Sequence, residues 1–258
     1  AIKIQKAVKK NNTFLTVTYN YTGYPMLREL KEMIKSGMHG KINQIHLEMP
    51  QEGFYRLNNL GKPLKVQEWR LSDLNLPTIS LDLGVHVHNI IYFLTGESPI
   101  GLVALQKNFN SKLGVVDDVS SIVDSTNNMV ANIWFSKVAL GHRNGLKVQV
   151  YGESLSSEWL QNNPEILQCS DNKGRKFTID RGNSDVKVAA LSRYNRFKAG
   201  HPSGFIEAFA NYYSDIADAL LENSLENEFI FDIDHAIEGL IMLEAIAESS
   251  QSKKWIKI

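Results

Sequence analysis

The sequence predicts an α+β fold: a large, mostly antiparallel, open-faced sheet with helices on one side, preceded by a helix–strand remnant of a doubly wound sheet. Three observations predict it. Residues 101–179 break into short runs of β-branched and apolar residues separated by tight turns, the pattern of an antiparallel sheet. Amphipathic helical patterns flank that block on both sides. At the start of the chain a helical pattern runs directly into a β-branched run, as in the last unit of a doubly wound sheet.

Taken in order, residues 1–10 place Ile2, Ile4, Ala7 and Val8 against a lysine-rich side, and Asn11-Asn12 turns the chain. Residues 13–19, T-F-L-T-V-T-Y, have strand composition. A helix over 26–36 directs Leu27, Leu30, Met33 and Ile34 inward and stops at Gly37. A strand over 41–49 follows, in which His46 is expected on a solvent or interface side; residues 51–75 are irregular and polar. Further strands are expected at 101–109, 119–125, 129–136, 146–151, 157–161, 166–170 and 176–179. Asn127-Asn128 and Asn172-Lys173-Gly174 mark hairpins. Residues 182–199 read as a mobile segment, then helices span 205 to about 223 and 233–249, and 255–258 close the chain as an edge strand. The division that follows is a remnant at 1–20 and a substrate-binding and oligomerisation domain at 21–258.

Composition limits the function classes. The 258 residues contain 28 basic and 28 acidic side chains, so no net field invites nucleic acid or an anionic membrane. The apolar runs are too short to span a bilayer. Cys169 is the only cysteine, which rules out an internal disulfide and a thiolate metal cluster and fits a reducing, cytoplasmic setting. An open-faced sheet needs a cover, and a second copy of the same sheet is the simplest one, so a homo-oligomer through the sheet is expected.

Residues 80–96, S-L-D-L-G-V-H-V-H-N-I-I-Y-F-L-T-G, carry the chemistry. At 3.6 residues per turn, Leu83, Val87, Ile90 and Leu94 share one face, while Asp82, His86 and Asn89 fall on another at i, i+4 and i+7. The plain reading is a surface or half-buried ion pair. The sharper one makes His86 a general acid or base, with Asp82 setting its tautomer and raising its pKa. Gly96 supplies the left-handed cap.

Several motifs carry a family resemblance: T-V-T-Y-N-Y-T-G-Y-P (16–25), L-K-E-M-I-K-S-G-M-H-G-K-I (30–42), Trp69-Arg70, D-L-G-V-H-V-H-N (82–89), Asp117-Asp118, G-H-P-S-G-F-I-E-A-F-A-N (200–211) and S-S-Q-S-K-K-W-I-K-I (249–258). In this order and from end to end, the chain resembles the C-terminal portion of a Gfo/Idh/MocA-type NAD(P)-dependent oxidoreductase, with an N-terminal Rossmann domain missing. The resemblance implies hydride transfer between NAD or NADP and a hydroxyl-bearing carbon of a sugar or cyclic polyol. It implies that His86 and Asp82 are catalytic and that Asn20, Trp69 and Arg70 lie near the cofactor. It also places His201 and Asn89 by the substrate, with no metal. Asn89 stands where many relatives carry Asp, and the approach to Asp82 is L-P-T-I-S-L (76–81) instead of glycine-rich. No G-x-G-x-x-G is present and the lysine of the upstream E-K-P motif is absent, so the chain alone is expected to bind NAD(P) feebly and to be inactive.

Each assignment has a plain alternative. Arg70 pairs with Glu68 or Asp73, Trp69 fills a core, Asp117-Asp118 caps a turn, and His201 bonds backbone in a loop. His142 and His235 are solvated; Tyr212 and Tyr213 belong to a core or interface. At the level of the whole chain the alternatives are a non-catalytic binding or dimerisation module, and a metal-dependent enzyme built on Asp82, His86 and His201.

Overall fold

The computed structural model describes residues 1–222 and 227–258. One nine-stranded sheet runs through it, made of β1 (Ile42–Pro50), β2 (Pro99–Lys107), β3 (Asp118–Ser125), β4 (Met129–Ser136), β5 (Lys147–Gly152), β6 (Leu155–Leu160), β7 (Asn163–Asp171), β8 (Lys176–Asp180) and β9 (Ile256–Lys257). Their order is β8-β7-β6-β5-β1-β4-β3-β2-β9. Every neighbouring pair is antiparallel except β1 and β4, which run parallel with Pro50 opposite Ser136. The parallel pair brings the exits of β1 and β4 to one edge, and the site is built there.

Period-2 alternation decides which face is covered. Ile45, Leu47, Met49, Ala131, Ile133, Phe135, Val148, Val150 and Trp159 are buried on one side. That side is packed by α2 (Pro25–Lys35), α3 (Val85–Thr95) and α5 (Ile233–Ser252), with α1 (Ile2–Asn11) against α5. On the other side Val103, Leu105 and Ile122 are exposed beside His46, Glu48 and Trp134. The hairpin asparagines behave as the sequence requires: Asn127 and Asn128 both take positive φ, 54° and 59°. No helix among the described residues is long and apolar enough to cross a membrane.

Two expectations are corrected. Residues 13–19 join no sheet; a β-branched run becomes a strand only where a ladder partner exists. Here the segment is an extended strap held where the Phe231 carbonyl accepts from Val17 N–H at 2.8 Å and from Thr16 Oγ1 at 2.9 Å. Residues 182–199 have no regular elements, yet they are tied down. Glu29, buried on α2, accepts the backbone N–H groups of Lys187, Val188 and Ala189. Arg28 bonds Tyr194 Oη at 2.5 Å and, fully buried, pairs with Asp215 on α4 (Phe205–Glu222) at 2.5 Å. Such a pair, once desolvated, is strongly destabilising to break because it leaves an uncompensated charge. The predicted last residue of α4, Asn223, lies outside the described residues. Tyr212 is in the core, whereas Tyr213 is exposed.

Candidate active site

The helix that holds His86 does not start as an α-helix. Ser80–Gly84 form a π turn and α3 continues from Val85. A π turn takes in an extra residue, so side chains on its two sides lose the i, i+4 alignment of a straight α-helix. Leu83, Val87, Ile90 and Leu94 are buried as expected. Asp82 stays close enough to His86 to act on its charge, while Asp82 and Asn89 each bond to other partners.

Asp82 turns toward two cations. Its Oδ2 lies 2.6 Å from Lys137 Nζ and 3.0 Å from Arg70 Nε, and Arg70 Nη2 donates to Oδ1 at 3.2 Å. Burial acts to raise the Asp82 pKa, but the Lys137 ammonium and the Arg70 guanidinium outweigh it and hold the carboxyl below its usual range. Burial lowers Lys137, with Asp82 opposing. Lys137 immediately follows β4, and its Nζ also donates to Oε1 of Gln51, immediately after β1, at 2.5 Å. Sequence reasoning missed Lys137, because nothing in a single lysine after a strand marks it until β1 and β4 are known to be parallel neighbours.

His86 is half-buried and its Nδ1 has no hydrogen-bond partner. Burial pushes its pKa down to about 4, with Asp82 only partly opposing. This corrects the expected raised pKa: with Asp82 neutralised by its own cations, desolvation dominates and the imidazole is neutral at pH 7. Tyr21 packs edge-on against His86 at 4.9 Å between ring centroids, and Tyr19 does so at 6.0 Å. Burial raises both phenols, Tyr19 to about 12, so both are un-ionised. Tyr21 sits in the 3-10 turn Asn20–Gly23 together with Asn20, whose Nδ2 is buried without a partner. That turn is pinned by α4: a Cβ on Gly23 would fall 2.0 Å from the Ala208 carbonyl oxygen, so only glycine fits the crossing.

The remaining predicted residues divide. Arg70 joins the site through Asp82 and lies 4.7 Å over the Trp69 ring. Trp69 is 52% exposed and therefore no core filler. Asn89 leaves the row: it is buried, with Nδ2 3.2 Å from His235 Nε2. His201 is exposed in its loop, beside Phe197 at 6.5 Å, and its carbonyl accepts from Arg181 Nη2 at 2.8 Å. Nothing links it to His86, so Asp82, His86 and His201 are not assembled as a metal site among the described residues. The helix that follows its loop does reach the site, with Phe205 6.3 Å from Tyr21. Asp117 caps a turn, accepting Phe109 and Asn110 N–H, and Asp118 accepts Trp134 Nε1–H. His235 is half-buried, packed against Phe231, Tyr92 and His88.

The family model for the GFO/IDH/MocA C-terminal domain matches residues 27–157. The chain belongs to the GFO/IDH/MocA family. Most of α2, all of α3 and the stretch from β1 to the start of β6 lie within the match. An uncharacterized oxidoreductase, YfiI, from Bacillus subtilis is 26% identical over 99% of this chain and 67% of its own length. An oxidoreductase from Sinorhizobium meliloti superposes with a TM-score of 0.84 at 29% identity, over 99% of this chain and 68% of that one. An inositol dehydrogenase homolog from Azotobacter vinelandii, solved with NADH and myo-inositol, gives 0.84 at 23% identity over 99% and 67%; at that identity the likeness is one of fold. The chain spans about two thirds of the length of these three relatives.

Proposed function

We propose that this chain is the substrate-binding and oligomerisation domain of an NAD(P)-dependent oxidoreductase acting on a hydroxyl of a sugar or cyclic polyol, with His86 as the acid/base. One observation carries the reading: His86 is a neutral, half-buried imidazole with an unpartnered ring nitrogen, beside a carboxylate held by two cations. A neutral imidazole accepts the proton of a hydroxyl as its carbon is oxidised, and returns it in the reverse direction. The Asp82 charge, shared with Arg70 and Lys137, stabilises the imidazolium that forms without taking the proton itself. Tyr19 and Tyr21 pack edge-on against the imidazole.

The residues present fit the nicotinamide end of a dinucleotide. Asn20 Nδ2 is a buried donor with nothing to bond, and Arg70 and Trp69 present a stacked, half-exposed cationic surface beside Asp82. The nicotinamide supplies the hydride chemistry, while this chain supplies position and proton transfer. The rest of the dinucleotide calls for a glycine-rich turn that this sequence lacks, so a separate Rossmann domain is part of the proposal. The polyol or sugar class is supported by the ligands of the structural relatives, among them a levoglucosan dehydrogenase solved with NADH and levoglucosan. The exposed Val103, Leu105 and Ile122 on the uncovered sheet face support self-association there.

The test joins this chain to a dinucleotide-binding domain and compares wild type with His86→Asn. Turnover is expected to fall by about 10²–10⁴ with NAD(P) affinity nearly unchanged. Turnover within twofold of wild type would remove His86 from the role. The chain alone should show no saturable NADH binding by fluorescence in the micromolar range.

A further inference from the structure

Between α3 and α5, three side chains converge that the proposed chemistry does not use. His235 and Glu238 are one turn apart on α5, the i, i+3 spacing that places an imidazole and a carboxylate together on one helix face. His88 of α3 meets them, and one metal-binding atom from each of the three lies within 4.8 Å of the others. We propose that His88, His235 and Glu238 form a divalent transition-metal site, suited to Zn2+, that ties α5 to α3.

The donor set is the first argument. Two imidazoles and one carboxylate are borderline ligands that favour Zn2+ over Mg2+ or Ca2+, and three protein ligands leave a fourth position open. Spacing is the second. His88 Nε2 and Glu238 Oε1 are 2.9 Å apart, and His235 Nε2 is 3.2 Å from the Asn89 carboxamide. Neighbouring ligands about 2.1 Å from a tetrahedral Zn2+ sit about 3.4 Å from one another, so His88 and Glu238 part by a few tenths of an ångström, while the His235 nitrogen, within 4.8 Å of both, closes by about 1.4 Å at most.

The surroundings are the third argument. Ser98 Oγ donates to Glu238 Oε2 at 2.9 Å, which fixes the carboxylate with Oε1 toward His88, the kind of outer bond that orients a ligand. Asn89 is 1% exposed and its Oδ1 has no partner. Turning that amide over, a choice the heavy-atom positions leave free, brings Oδ1 to His235 Nε2 and offers a fourth ligand. His88 is 2% exposed, whereas the Glu238 side chain is one third exposed, which leaves an entry from solvent. Close approach of the helices is built in: a Cβ on Gly239 would fall 2.9 Å from His88 Nδ1.

The experiment uses the chain stripped with chelator and titrated with Co2+ and Zn2+. Co2+ is expected to give visible d–d absorption saturating at one equivalent and displaced by Zn2+. Zn2+ in roughly hundredfold excess over its dissociation constant should raise Tm by about 5 °C. Glu238→Gln, which keeps the side-chain volume and the Ser98 bond, and His235→Ala should each weaken binding at least tenfold. His142→Ala, at an exposed loop position, should leave binding unchanged. Absence of the Co2+ band and of any Tm shift at millimolar metal would overturn the site and leave a hydrogen-bonded cluster only. So would a band that survives in both Glu238→Gln and His235→Ala.

Discussion

His86 and His88 stand two residues apart on one helix and have opposite surroundings. His86 faces the strap and turn of residues 13–23, where aromatic edges and an ion-paired carboxylate leave a ring nitrogen without a partner. His88 faces α5, where Glu238 takes its Nε2 at 2.9 Å. The residue type is the same and the local sequence nearly so. What differs is the element packed on each flank: Nδ1 lacks a partner in both rings, but α5 brings His88 a carboxylate at Nε2.

The contrast is open to attack by substitution. The largest effect belongs to His86→Asn, with about 10²–10⁴ lost in turnover. His88→Asn should leave turnover within a few-fold but lower stability in urea by about 1–3 kcal/mol, since Glu238 loses its buried partner. If the two variants lost turnover equally, the division between the flanks would fail. Lys137→Met removes one of two cations from Asp82 and should cost about tenfold or more in turnover, with urea denaturation reporting a smaller stability loss.

Acid sharpens the comparison further. Burial lowers His39, His86 and His235 each to about 4, so between pH 6.5 and about 4 the unfolded chain binds protons that the folded chain refuses. Stability present above pH 6.5 is therefore lost as pH falls through that window, by roughly 3 kcal/mol for the fully buried His39. Urea midpoints measured from pH 7 to pH 4 should fall steadily, and His86→Asn should flatten the slope. A midpoint independent of pH there would mean that these imidazoles are not desolvated. The smallest effects are expected at the helix crossings. An added Cβ at Gly84 meets Leu243 Cδ2 at 2.6 Å, the end of a flexible side chain, so Gly84→Ala should cost only about 1–2 kcal/mol. Gly239→Ala presses on the His88 ring and should shift Zn2+ affinity more than stability.

Much of the architecture was legible because it rests on local rules. Period-2 burial in β3 and β4, the asparagine turn between them, and the buried stripe Leu83, Val87, Ile90 and Leu94 all follow from side-chain direction along a strand or helix. The strap at 13–19 was misread because β-branched composition says that a segment is extended and cannot say whether a partner strand is present. The partners of Asp82 and Asn89 were not legible, because Arg70 and Lys137 reach Asp82, and His235 reaches Asn89, from stretches distant in sequence. His235 was misread as solvated because its aromatic neighbours, Tyr19, Tyr92 and Phe231, come from three separate stretches.

From its sequence alone this chain already carried its strands, its helices, its uncovered sheet face and the helix that holds His86, since each follows from side chains within a few residues of one another. Only the tertiary structure set β1 beside β4 in parallel. That pairing brings Gln51 and Lys137 to the same edge and gives Asp82 a cation that no local pattern announces. Charge and burial at a site depend on groups distant in sequence, and desolvation by those groups, acting with the charges they bring, left His86 neutral instead of charged.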